Sequence, residues 1–344
     1  MKAVVLTGIR QMELRDVADP DIRNDDDVLL KIEKVGVCGS DVHYYEAGRI
    51  GSQAVQYPYI IGHECAATVE AVADAVDRVK VGDQVVVDPA VPCHNCDQCR
   101  AGRENTCRNL SFLGTPAEGE GCLCEYIVLP QECCFPTGGK LTLDQAVLCE
   151  PFAIGVYSVQ RAHLPQKSRI AILGSGPIGL SCMAGARAEE AEKIYMTDIL
   201  DYRVTIAGQN GASWAGNPDK QDIAARIQKA EPAGVDAVFE CAGKQETLDQ
   251  AVAILKPGGK LVLIGAPRFD RVSFVIDKIR RKEIDILNIR RQNRCTQKAV
   301  DLVASGRADI DFMVTHTFRL DQVQKAFEMV AAYDDGVIKA MIEF

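Results

Sequence analysis

Apolar positions in the first 150 residues come in short clusters, at 28–35, 66–72, 84–87 and 124–129, cut apart by turn residues such as Gly82-Asp83 and Pro89. Runs of that length between turn formers predict short β-strands. The opening MKAVVLTGIRQMELRD holds one lysine and a brief apolar run that also reads as a strand; it has neither the apolar core nor the cleavage site of a secretory leader. From about Lys167 the texture changes. Compact, nearly continuous apolar runs at 170–173, 194–197, 235–240 and 260–264 alternate with helical stretches. Strands of this kind are buried on both faces, which predicts a parallel sheet in a doubly wound α/β domain. Beyond Ile289 a helix over 296–304 and a last strand over 337–342 are too short to stand alone, and are expected to pack back on the first lobe. The chain thus divides into residues 1–154 with 290–344, and residues 155–289. No apolar stretch approaches the roughly 18–20 residues that cross a bilayer, so a soluble, cytoplasmic protein is expected.

Charge and cysteine content narrow the function. With 39 basic and 48 acidic side chains the net charge is −9, which offers no long-range attraction to nucleic acid or to an anionic membrane. The basic groups Arg280, Arg281, Lys282 and Arg290, Arg291, Arg294 read first as a solvated helix end and a loop. Fourteen cysteines are many for a compartment where disulfides are rare. Four of them, Cys93, Cys96, Cys99 and Cys107, fall within fifteen residues. Two-residue spacers let neighbouring thiolates converge on one ion, and a fourth from the following loop closes a tetrahedron. Such a site is a structural zinc with no open position. His94, inside the loop, is then a bystander.

The run at 170–173 leads into Gly174-Ser175-Gly176-Pro177-Ile178-Gly179, followed by a helical stretch. A G-x-G-x-x-G between strand and helix is the phosphate-binding turn of dinucleotide domains. The helix N-terminus adds unpaired N–H groups and a partial positive charge. An acidic residue is required about 20 positions on, and Asp198 stands there, at the end of the next strand. Its carboxylate would accept from ribose hydroxyls and repel a 2′-phosphate, which predicts NAD rather than NADP. Arg203 would either flank the adenine or soften that exclusion.

Candidates for a second, open metal site are scattered: Cys38 in Cys38-Gly39-Ser40-Asp41, His63-Glu64 after Gly62, and Glu150 before Pro151. Each alone reads as an ordinary core or surface residue. Their order along the chain, with the four-cysteine loop, Glu150-Pro151-Phe152, the glycine turn and Val314-Thr315-His316, resembles the zinc-containing medium-chain dehydrogenases. The stretch from Cys38 through Asp41, His43, Tyr44, Tyr45, Glu46, Gly48 and Arg49 to Gly51 is similar to the polyol-oxidising, sorbitol dehydrogenase-like members. The resemblance covers essentially the whole chain.

It implies a β-rich GroES-like catalytic domain with two zinc sites, formed by 1–154 and 290–344, and a Rossmann NAD-binding domain at 155–289. The catalytic zinc would be held by Cys38, His63 and Glu64, with Glu150 in contact directly or through water. Ser40 and His43 would carry the alcohol proton away, and Tyr44, Phe112 and Arg291 would contact substrate. The tyrosine that accompanies that arginine in animal members is Gln292 here, which leaves the identity of the polyol open. A homotetramer or homodimer is expected by the same resemblance.

The implied reaction turns a sugar alcohol of the sorbitol, xylitol or iditol type into a ketose, passing hydride to NAD. Zinc is suited to it because the ion lowers the pKa of a bound water from about 15.7 to about 7, worth roughly 12 kcal/mol. A lone general base supplies only about 3–5 kcal/mol. Alternatives are a polyol-phosphate (galactitol 1-phosphate type) dehydrogenase using the arginines at 290, 291 and 294, L-threonine 3-dehydrogenase, and a non-catalytic NAD-binding relative. Ser40 and Glu150 speak against the threonine enzyme, and the full set of zinc ligands against the last.

Overall fold

A computed structural model describes residues 1–267 and 271–344. The chain forms two compact units: Met1–Glu150 with Thr296–Gly306 and Ile310–Phe344, and Pro151–Cys295 with Arg307–Asp309. The sequence-based divisions at 154 and 289 lie a few residues away from these. The first division falls inside the helix Leu143–Ala162, which runs through Pro151. A helix leaves no turn residue to mark such a crossing.

The first unit is built on a mainly antiparallel sheet. Its strands run in the order Cys134–Pro136, Gln84–Val87, Glu64–Val72, Asp27–Gly36, Lys339–Glu343, Val314–Arg319, and Tyr126–Pro130 also pairs with Asp27–Gly36. The long strand Asp27–Gly36 is buried along most of its length and is flanked by Glu64–Val72 on one edge and by Tyr126–Pro130 and Lys339–Glu343 on the other. Met341 pairs with Gly36 and Ile342 with Val35, so the C-terminal segment completes the N-terminal sheet. A core of Val4, Leu6, Leu30, Ile32, Ile61, Leu123 and Phe327 lies against it.

The second unit is a parallel sheet in the order Trp214–Gly216, Lys193–Thr197, Arg169–Leu173, Val235–Glu240, Leu255–Leu263, Asp285–Asn288. The first of these in the chain, Arg169–Leu173, sits in the middle, with the next strand on one side and Val235–Glu240 on the other. That reversal of order opens a crevice beyond the strands' C-terminal ends, where ligands of such sheets bind. The strand expected at 260–264 starts earlier, at Leu255, and takes in Pro257-Gly258-Gly259, with a register shift opposite Val235 to Ala237. Turn-forming composition hid that part. Among the described residues no helix is long and apolar enough to cross a membrane.

Candidate active site

Cys38 ends an extended stretch (φ −86°, ψ 148°) and immediately precedes the helix Gly39–Ala47, which stops at Gly48 in the left-handed region. Two residues earlier, Gly36 pairs with Glu64 across the sheet. The register therefore carries Cys38 to the start of the strand on which Glu64 sits, with His63 just before it. One ligand atom each from Cys38, His63 and Glu64 lie within 4.8 Å of one another. His63 and Glu64 are buried. A thiolate, an imidazole and a carboxylate converging in a buried place are a zinc donor set, and three protein ligands leave one position open.

Two neighbours that sequence reasoning gave no role complete the surroundings. Asp41, buried on the first turn of the helix, has Oδ1 3.3 Å from His63 Nδ1 and accepts from the Gly62 amide at 3.3 Å. Its carboxylate fixes the proton on Nδ1, which leaves Nε2 for a metal. Burial alone would lower the His63 pKa, but Asp41 and Cys38 beside it outweigh that and hold it well above its usual value. A site that favours a proton so strongly favours a cation. Lys339, 1% exposed, donates from Nζ to Glu64 Oε2 at 2.5 Å and to the Val37 carbonyl at 3.2 Å. Burial works against its charge; Glu64, with Cys38 and Glu150 behind it, raises its pKa above the ordinary lysine value.

Glu150 is buried on the helix Leu143–Ala162 and stands outside the 4.8 Å group. Burial, with Glu64 and Asp88 adding to it against the opposing His63, pushes its carboxyl up to about 8. Ser40 Oγ donates to Cys38 Sγ at 3.2 Å. His43 lies three residues on, on the same face of the helix, and is half-buried. Phe112 packs against His63 with ring centroids 5.5 Å apart. Tyr44, assigned to the substrate cleft from the sequence, is 4% exposed and belongs to the apolar core of its unit.

The four-cysteine loop is folded as a cage. Sulfur separations are 3.5 Å for Cys96–Cys99, 3.4 Å for Cys93–Cys107 and 3.9 Å for Cys96–Cys107. A tetrahedron with bonds of about 2.3 Å has edges of about 3.8 Å, so the cage fits zinc. Backbone amides point at the sulfurs: Arg108 and Cys99 lower the Cys96 thiol to about 6, and the Cys93 amide donates to Cys107 Sγ at 3.3 Å. His94 turns outward, 2.8 Å from Glu132 through Nε2.

In the second unit Gly174 sits at φ +106°, and a Cβ on Gly179 would fall 1.9 Å from the Gly174 carbonyl oxygen. The turn is therefore closed to any larger residue. Pro177 opens the helix Pro177–Ala188 at its first position, and Ile178 follows half-buried. Asp198 accepts from the Ser175 amide at 2.8 Å and from the Leu200 amide at 3.0 Å, so one carboxylate ties the glycine turn to the end of the next strand. Arg203 Nη1 lies 3.8 Å from Asp198 and 3.3 Å from where a Gly176 Cβ would be, which sets a guanidinium over the turn. Glu240, another residue the sequence did not flag, ends its strand buried and accepts from the amides of Ala242 and Gly243. Arg291 lines a cleft of about 430 Å³ with Lys244, Gly265, Ala266 and Arg290.

Comparison with known proteins gives the family. Residues 24–139 match the alcohol dehydrogenase GroES-like domain and residues 177–305 the zinc-binding dehydrogenase domain. The chain therefore belongs to the zinc-binding, medium-chain dehydrogenase family. It is an NAD-dependent oxidoreductase acting on a CH–OH group. The chain is 38% identical over 343 residues to sorbitol dehydrogenase of Bacillus subtilis (strain 168), covering 99% of this chain and 97% of that one. It is 33% identical over 346 residues to L-idonate 5-dehydrogenase of Vitis vinifera, covering 98% and 93%. A solved Escherichia coli oxidoreductase/dehydrogenase, described as of unknown specificity and involved in membrane biogenesis, superposes with a TM-score of 0.94 at 32% identity over 99% and 98% of the two chains.

Proposed function

We propose that this chain oxidises a free sugar alcohol to a ketose, passing hydride to NAD. The observation that carries the reading is the convergence of Cys38, His63 and Glu64 within 4.8 Å, in a chain whose other unit holds an NAD-type glycine turn. When bound, zinc supplies the positive charge that stabilises a deprotonating alcohol, and NAD accepts the hydride. The protein's part is placement. Asp41 holds the His63 ring, Lys339 engages Glu64, and Ser40 Oγ with His43 takes the hydroxyl proton outward. With NAD held at the glycine turn, the alcohol would lose a hydride from carbon to the cofactor and a proton from oxygen to the Ser40–His43 pair, leaving a carbonyl. Glu150, whose carboxyl burial pushes up from its ordinary value, is the second carboxyl available to relay that proton. Phe112, packed against His63, would meet the substrate's carbon chain.

The reading extends to a homotetramer or homodimer in the cytoplasm; that none of the fourteen cysteines forms a disulfide supports the reducing compartment. Sedimentation in dilute buffer tests the assembly, and a monomer would refute it.

The test of the reaction is the initial rate of NADH formation on sorbitol, xylitol, galactitol, L-idonate, threonine and galactitol 1-phosphate, with and without a zinc chelator. Chelator-sensitive turnover of a free polyol is the expected result. Activity confined to the phosphate would overturn it in favour of a phosphate site at Arg290 and Arg291.

A further inference from the structure

Glu64 has two claims on its carboxylate, and both are built into the fold. One comes with Cys38 and His63, the other members of the metal cluster. The same carboxylate also takes the Lys339 ammonium, 2.5 Å from Oε2, with side chains 2% and 1% exposed. The space is made for this arrangement. A Cβ on Gly36 would fall 2.5 Å from Glu64 Oε2 and 2.9 Å from Val147 Cγ1, so the carboxylate occupies room that any side chain at 36 would take. Lys339 is anchored again by the Val37 carbonyl, one residue before Cys38. Two buried charges held this closely cost desolvation that a hydrophobic pair would avoid, so stability alone does not explain the lysine.

We infer that Lys339 is a positioning residue that keeps Glu64 a weak, shared ligand, by holding one carboxylate oxygen and cancelling one negative charge beside the catalytic zinc. With the ammonium in place Glu64 can yield its position to an incoming alcohol without leaving a bare buried carboxylate. Without it, Glu64 has only the metal as counter-charge and closes the open position. The inference rests on the zinc assignment above, and its test separates the two.

The experiment uses the zinc-loaded enzyme and follows metal transfer to a colorimetric chelator. Cys38→Ser identifies the catalytic phase by abolishing it; if wild type shows no such phase, the zinc assignment itself fails. Lys339→Met should slow that phase on the order of tenfold, the size that outer-shell changes have on metal affinity but with the opposite sign, because the group removed competes for the ligand. Lys339→Arg should restore the wild-type rate, and in a Glu64→Gln background Lys339→Met should change nothing. The visible spectrum of the cobalt-substituted protein should move in the methionine variant and stay in the arginine one. Release at the wild-type rate or faster in Lys339→Met would overturn the role. Should that variant not accumulate, Lys339→Gln is read in the same way: slower release supports the role, and unchanged or faster release refutes it.

Discussion

Asp41 decides how His63 can act, although it has no place in the metal cluster itself. Its carboxylate faces Nδ1 at 3.3 Å, and an amide cannot offer the same charge to the ring. Asp41→Asn is expected to lower zinc affinity and kcat by about 10–100-fold with the fold intact, read from metal content, turnover and circular dichroism. Asp198 acts at the cofactor in a comparable way. Asp198→Ala removes both the negative charge and the tie to the Ser175 amide. Discrimination against NADP should fall at least about tenfold, since a like-charge encounter costs several kcal/mol; kcat/KM with each cofactor measures it. Some of these residues were legible in the sequence and some were not. The glycine turn and Asp198 lie close along the chain in a fixed context, so their chemistry showed directly. Cys38, His63 and Glu64 needed a family resemblance to be linked. Lys339 lies 275 residues from Glu64, and no local pattern marks it.

At the scale of elements, the glycine turn and the cysteine loop fail in different ways. Gly179→Ala places a methyl 1.9 Å from the Gly174 carbonyl oxygen, so the start of helix Pro177–Ala188 must shift. NAD affinity should fall sharply while the first unit keeps its zinc; calorimetric titration with NAD and metal analysis test both. Cys99→Ser should instead leave cofactor binding in place and lower the melting temperature, by about 2–4 °C for each kcal/mol lost. Periodicity found most strands within a few residues because short apolar runs between turns are distinctive. It missed Leu143–Ala162 as one helix because Pro151 interrupts the pattern. It also missed Trp214–Gly216, which is too brief to show a period.

For the whole molecule, acid stability is tied to particular carboxylates. Asp27 is buried, which by itself would raise its pKa, but the amides of Arg23 and Asn24 and the Asn24 side chain hold it below its ordinary value. A carboxylate depressed in the folded state stabilises above its unfolded pKa of about 3.9, and that contribution is lost as pH falls through the folded value. Asp27→Asn should therefore cost about 1–2 kcal/mol at pH 7, and the gap to wild type should close below about pH 4. Denaturant titrations at several pH values read the difference directly.

The order in which the strands are synthesised has a consequence for how the enzyme matures. Everything the second unit needs for its sheet lies between Arg169 and Asn288, so that unit can close while the chain is still being made. The first unit's sheet is completed later, because the Lys34–Gly36 end of its long strand pairs with Lys339–Glu343. Cys38, His63 and Glu64 leave the ribosome well before Lys339, which follows Glu64 by 275 residues. A nascent chain thus carries a cofactor fold before its metal cluster has met Lys339.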